Sequence, residues 1–199
     1  IVIGEDGADQ AHLFEWNGET WDDTVFTAFD EVEGNRYGTS VAMDNDIIVI
    51  GASYARNDDN IVTGAVYIYQ WNGINWIETK ITASDGKGGD FFGSSVAVDG
   101  GTILVGAFGD DDNGNMSGCA YVYQWNGETW SETKLLASDG ADGDLFGYSV
   151  AIDGAQVMVG ARDDDDNGDK SGSVYYYDLN DIIDITAPGA PANLTEAIL

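Results

Sequence analysis

The chain has one cysteine and one histidine in 199 residues. A lone cysteine excludes any internal disulfide. With one His, one Cys and seven basic residues, no nucleophile–base pair can be assembled from its motifs. Carboxylate pairs are plentiful, so counting alone does not exclude a glycosidase pair. Acids that recur in the same slots of successive repeats read as architecture instead. Proline is nearly absent at 2 residues, while glycine reaches 27, a balance that suits many short strands joined by tight turns. Positive charge is the largest deficit: 7 Lys+Arg face 36 Asp+Glu, leaving −29. Such a surface repels nucleic acid and anionic lipid heads, which makes both poor partners. It attracts cations, and two readings stand: solubility in salty surroundings, or a dedicated cation role. No stretch is long enough to span a membrane, and no signal-peptide pattern is present. The apolar fraction of 43% argues against disorder. The chain opens without Met and in mid-repeat, as expected of a piece of something longer.

What the chain has in abundance is repetition. The phrase from Ala137 to Tyr177 nearly duplicates the one from Ala83 to Tyr123, and a looser copy runs from Ala28 to Tyr69. Phe-Gly pairs end at Gly93 and Gly147, 54 apart, and Tyr37-Gly38 stands 55 before the first of them. Gly-Ala at Gly51, Gly106 and Gly160, and Trp-Asn-Gly at Trp16, Trp71 and Trp125, keep the same step. A period of that length means a repeat architecture. Cys119 aligns with Ala65 and Ser173, which makes it a small core filler. His12 aligns with Tyr67 and Tyr121 on a strand, which assigns it to strand packing.

Each repeat resolves into four short runs. In the third copy they are Ser94–Val98, Thr102–Ala107, Cys119–Gln124 and Thr129–Leu136, with a hairpin turn at Asn126-Gly127. The first two are apolar on both faces, as strands between neighbouring sheets must be. The fourth is mixed and carries Lys134, matching Lys80, a residue type that guards an outer edge strand against aggregation. The expectation is an all-β β-propeller of four-stranded antiparallel blades, about 54–55 residues per repeat. Residues 1–27 supply strands two to four of one blade, 28–83 and 84–137 two full blades, and 138–186 a last one. Ile182–Thr186 is the candidate for that blade's fourth strand. One strand is lacking for four complete blades, so the ring closes as four, or it needs more chain or a second copy. Residues 187–199, with both prolines, read as a linker or tail toward a possible fibronectin-type or immunoglobulin-like module.

The core Phe92-Gly93-x-Ser95-Val96-Ala97 … Val105-Gly106-Ala107, echoed at Phe146-Gly147 … Val159-Gly160-Ala161, resembles the FG-GAP repeat. That repeat builds the propeller of integrin α-subunits and of many bacterial surface and secreted proteins. The Gly-Asp-Asp-Asp-Asn-Gly that follows Gly-Ala is closer to the bacterial variant. The resemblance spans roughly residues 1–178. It implies extracellular adhesion or ligand binding and no catalysis, and it names no ligand. Integrin-type propellers place their calcium loop between the FG and GAP elements. Here that interval holds only Asp99-Gly100-Gly101 or Asp153-Gly154-Ala155, too tight for an ion.

Strand parity puts two acid-bearing loops on one rim of the disc and the tryptophan hairpins on the other. The first loop holds Asp58-Asp59, Asp110–Asp112, Asp163–Asp166 and Asp169. The second holds Asp30, Glu31 and Glu33, then Asp85 and Asp90, then Asp139, Asp142 and Asp144. Calcium takes six to eight oxygens on a loop with Gly at its sharp turn. Asp110-x-Asp112-Asn113-Gly114 and Asp164-x-Asp166-Asn167-Gly168 suit it, with Asp58 in the second blade. The other reading is that Asp and Asn bond their own loop backbone while Gly permits the turn. The pairs Trp16/Trp21, Trp71/Trp76 and Trp125/Trp130 read as cross-strand staples or as a sugar-stacking platform led by Trp16, Trp71 and Trp125. Three functions follow: a calcium-stabilised adhesion module with a protein or glycan surface ligand, a self-associating structural unit, and a lectin.

Overall fold

The computed structural model describes residues 1–30 and 32–182. Four antiparallel sheets follow one another along the chain. The first is three-stranded: β1 (Val2–Glu5), β2 (Gln10–Trp16) and β3 (Trp21–Phe26). Two four-stranded sheets come next: β4 (Tyr37–Asp44), β5 (Ile47–Ala52), β6 (Ala65–Trp71) and β7 (Trp76–Ile81), then β8 (Ser95–Asp99), β9 (Thr102–Ala107), β10 (Cys119–Trp125) and β11 (Trp130–Leu135). The last has β12 (Phe146–Asp153), β13 (Gln156–Ala161) and β14 (Ser173–Asp178), followed by a helical turn, α1 (Leu179–Ile182). Every strand pairs only with its neighbour in sequence, the up-and-down order of a propeller blade. The protein is all-β, an open partial propeller. The fourth strand expected at Ile182–Thr186 falls outside the described residues except for Ile182, which ends the helical turn; Glu31 and 187–199 fall outside as well. Among the described residues, no helix is long and apolar enough to cross a membrane.

The apolar core lies between sheets. Ile48, Ile50, Tyr67 and Tyr69 of the second sheet pack with Leu13 and Phe26 of the first. The opposite face of the same sheet, Val49, Val66 and Ile68, packs with Phe92, Ile103, Val105 and Tyr121 of the third. Leu104, Ala120 and Val122 then meet Phe146, Val157 and Tyr175 of the fourth. Ile48, Val49 and Ile50 are all fully buried because this strand has a neighbour on each side. Each such side chain contributes roughly 1.5–3 kcal/mol of apolar burial.

Glycine sets how close the sheets approach. A Cβ on Gly4, Gly51 or Gly106 would lie 2.0–2.1 Å from the carbonyl oxygen of Gly38, Gly93 or Gly147 in the next blade. No side chain fits there. The accepting glycines themselves have φ of 91, 85 and 85°, a region that L side chains rarely adopt. Beside the Gly51 and Gly106 contacts a serine crosses the seam: Ser40 Oγ donates to the Gly93 carbonyl and Ser95 Oγ to that of Gly147, both at 2.8 Å. At the β4–β5 and β8–β9 hairpins the acids also cross. Asp44 accepts from Gly100 N–H at 2.9 Å, and Asp99 from Gly154 N–H at 2.6 Å. The tight FG-to-GAP turn therefore spends its aspartate on the neighbouring blade.

Gly106→Ala should destabilise the protein by about 2–3 kcal/mol, since the added methyl forces two backbones apart. Gly7→Ala, with open space around its Cα, should be near neutral. Urea denaturation of both variants at fixed calcium checks the pair.

Candidate cation-binding rim

Three tyrosines repeat a single gesture. Tyr67, Tyr121 and Tyr175 lie on the third strand of successive blades, and each hydroxyl donates to the first acid of the loop entering its blade. The bonds run to Asp30 at 2.8 Å, Asp85 at 2.7 Å and Asp139 at 2.8 Å. The loop between second and third strands then brings its own acids to the same place. The two acidic loop sets thus share one rim, as strand parity requires, and the tryptophan hairpins sit at the other ends of the strands.

In the third blade, one oxygen each of Asp85, Asp110 and Asp112 lies within 4.8 Å of the other two. Among the described residues this is the group whose spacing suits a metal ion. Its centre is already filled. Lys134, from the outer strand β11, sets its ammonium 2.8 Å from Asp85, 2.8 Å from Asp110 and 2.5 Å from Asp112. The side chain is only 18% exposed and that of Asp110 only 2%, so the contact is screened little by water. Burial works against the Lys134 charge, but bonds to the three carboxylates outweigh it and raise its pKa. The Lys134 ammonium, with Lys87 at 2.9 Å, holds the Asp112 carboxyl below its ordinary value. For Asp85, burial raises the value, and the bonds from Lys134 and Tyr121 more than reverse it. Lys80 treats Asp30 alike in the second blade, 2.5 Å away. These lysines were expected at a solvent-facing edge; they turn inward instead and serve as counter-ions.

The fourth blade repeats the acids without the lysine. Tyr175 bridges Asp139 and, at 2.9 Å, the buried Asp164. The Asp166 carboxyl is pushed up by the charge of Asp164, by burial and by Asp139 and Asp165. Among the described residues no ammonium or guanidinium pairs with this trio, since Arg162 and Lys170 both pair with Asp163. One repeat step beyond Lys134 the sequence has Pro188.

Calcium takes six to eight oxygens and no competing cation. The third-blade group does not fit it while Lys134 is in place; the fourth-blade acids lack that counter-charge, though their oxygens are not gathered as closely as those of Asp85, Asp110 and Asp112. The other residues singled out from sequence are distributed as follows. Asn113 donates its amide to the Ala137 carbonyl at 3.0 Å, tying its loop to the blade entry. Asn167 is exposed beside Asp166. Asp58 is exposed in a loop whose counterpart of the buried Asp110 is Ala55, itself 1% exposed. Trp16/Trp21, Trp71/Trp76 and Trp125/Trp130 pair across their hairpins with ring centroids 5.5, 5.4 and 5.4 Å apart, the packing of a staple. Cys119 is fully buried, and burial pushes its thiol up. His12 hydrogen-bonds Asp23 at 3.0 Å and stacks on Phe14.

A feature invisible in the repeat count is a ladder of rings near the inner strands. Arg36 stacks on Tyr54, followed by Phe91, Phe108 and Tyr148, and Arg162 closes the row, with ring separations of 5.2–5.6 Å. Arg36 and Phe91 fill one slot of successive copies, and Phe108 and Arg162 another, but the residue type changes from copy to copy, so no repeated word marks them.

Fold and rim together define a non-closed propeller whose blades are joined by Gly-carbonyl seams and whose acids gather on one rim. A family model for the FG-GAP repeat matches residues 21–69, 76–123 and 130–177, well over half of the chain. The protein belongs to the FG-GAP repeat family. No curated protein matches the chain. Proteins of this family are generally non-enzymatic and occur outside cells or at their surface, and their repeats often bind calcium.

Lys134→Met should cost about 2–3 kcal/mol in denaturant unfolding, since it strands the buried Asp110 beside two other carboxylates. The pH profile should have two limbs. Burial pushes the Asp90 carboxyl up to about 6, so the folded state binds a proton between pH 6 and 4 that the unfolded state lacks, and stability rises as pH falls through that window. The depressed Asp30, Asp85 and Asp112 act oppositely, and their contribution is lost below about pH 4. Asp90→Asn should shrink the upper limb, to which the raised Asp144 and Asp166 also contribute, and leave the lower one, as read by urea midpoints from pH 7 to pH 3.

Proposed function

We propose that this chain is part of a non-enzymatic extracellular binding and adhesion propeller, stabilised by calcium at the fourth-blade acids. Asp139, Asp164 and Asp166 would supply the carboxylates and the Tyr175 phenol would orient two of them, with Asn167 beside them on the loop. The observation that carries this reading is the contrast between two copies of one site. The third blade neutralises its acids with Lys134, and the fourth has the same acids and no such partner among the described residues. Three carboxylates gathered without a counter-charge are costly, and a divalent ion removes that cost. The ligand on this reading is a protein or glycan on another surface. With a net charge of −29, nucleic acid and anionic membranes are repelled. The tryptophan pairs pack on each other, which favours adhesion through the rim over sugar stacking.

The test is a thermal melt in calcium, in magnesium and in chelator at fixed ionic strength. Calcium at 100 times its dissociation constant should add about 2.7 kcal/mol. The shift should exceed that in magnesium, vanish in Asp166→Asn and survive in Asp112→Asn. Equal melts in calcium and chelator would overturn the calcium assignment. A shift abolished by Asp112→Asn would move the ion to the third blade.

A further inference from the structure

We propose that the cavity between the first and second blades, at the tryptophan rim, binds a small quaternary ammonium cation. The site goes beyond the calcium-stabilised module proposed above and lies at the other ends of the strands. A cavity of about 230 Å³ is lined there by Glu15, Met43, Asn45, Asp46, Trp71 and Trp76. Glu15 comes from β2, the next three from the β4–β5 hairpin, and the tryptophans from the β6–β7 hairpin. The two indoles meet at 55° with centroids 5.4 Å apart, so they form a corner and not a parallel stack. Phe26 of the first blade braces Trp76 edge-on at 5.9 Å. Trp71 stays 39% exposed, which leaves ring surface open to a ligand.

Repetition separates what the fold needs from what this cavity adds. The Trp71/Trp76 pair recurs as Trp125/Trp130 with nearly the same geometry, 5.4 Å and 56°. A hairpin uses that pair for packing in any blade. The acids do not recur: Gln70 follows Glu15 one step on, and Gly101 follows Asp46. Glu15 also stands directly opposite Asp22 in the β2–β3 register, a like-charge pairing that costs stability. The next blades pair Gln70 with Ile77 and Gln124 with Ser131 at that place. Among the described residues, neither the Glu15 nor the Asp46 carboxylate has a hydrogen-bond or ion-pair partner. The first seam thus sets two uncompensated carboxylates beside two indoles and a thioether.

That set selects the class of cation. Calcium and magnesium need about six or more oxygens, and two carboxylates fall well short of that shell. A primary ammonium is compact and strongly hydrated, and it holds its water too firmly to settle against a ring. A quaternary ammonium carries its charge diffusely under a shell of methyl groups. It gains from the indole quadrupole and from a nearby carboxylate at once. At about 230 Å³ the cavity is smaller than those of drug-sized ligands, which limits the occupant to a free molecule of choline's size.

Choline titrated with the chain at physiological ionic strength and fixed calcium, followed by its N-methyl proton resonance, tests this. Contact with the indoles should move that resonance upfield and give a saturable one-to-one isotherm. The neutral carbon isostere of choline, with a tert-butyl group for the trimethylammonium, should bind at least about 5-fold more weakly. Glu15→Gln combined with Asp46→Asn should weaken choline about 3- to 10-fold. Trp71→Leu should weaken it about 5- to 30-fold, while Trp125→Leu, the matching change in the third blade, should leave it unchanged. Should Trp71→Leu unfold the hairpin, the double carboxylate variant, which keeps every ring, decides. Equal binding of the neutral isostere, or an equal loss in Trp125→Leu, would overturn the proposal. So would a resonance that moves without saturating, the mark of a cation held loosely by a net charge of −29.

Discussion

The structure depends on one close approach, a glycine Cα lying against the carbonyl of a glycine in the next blade. At 2.0–2.1 Å from a hypothetical Cβ, the gap admits hydrogen and nothing larger. Two sheets held that near interdigitate their Ile, Val and Tyr side chains at core density. At Gly93 and Gly147 a flanking serine then satisfies the carbonyl that the approach removes from water. The aromatic ring of the same pair fills the space beside it, edge-on to a tyrosine of its own blade's third strand: Phe92 lies 5.3 Å from Tyr121 and Phe146 5.1 Å from Tyr175. Those tyrosines carry their hydroxyls outward to the rim acids. The seam and the acidic rim are thus the inner and outer ends of one set of strands.

Much of this was legible in the residues. Phe92-Gly93 and Gly106-Ala107 recur with fixed spacing because backbone contacts constrain both identity and position, and such constraints survive in sequence. Strand parity also put Asp85 and Asp110 on one rim, since up-and-down order leaves no other arrangement. The role of Lys134 was not legible. A lysine on a mixed outer strand has a long stem, and only the fold decides whether that stem reaches water or three carboxylates. The tie from the Asn113 amide to the Ala137 carbonyl was not legible either, since spacing alone does not show which neighbour a side chain meets. The ring ladder was not legible because its slots change residue type from copy to copy, Arg36 to Phe91 and Phe108 to Arg162.

Charge is distributed with the same economy. The protein has seven basic residues, and Lys80, Lys87, Lys134, Arg162 and Lys170 all pair with aspartates on the acidic rim. Repulsion among the acids is therefore relieved locally, blade by blade, and it is relieved least where Asp139, Asp164 and Asp166 meet. A rim built this way couples shape to cations: lysines make parts of it permanent, and the rest answers to the medium.

Because each seam is made between adjacent blades alone, no blade senses how many others there are. The energetics are those of a one-dimensional chain of nearest neighbours. Length is then a free variable for evolution. Whole units of 54 or 55 residues can be duplicated or lost by recombination while each surviving seam keeps its hydrogen bonds. Such a protein can change its reach without relearning how to fold.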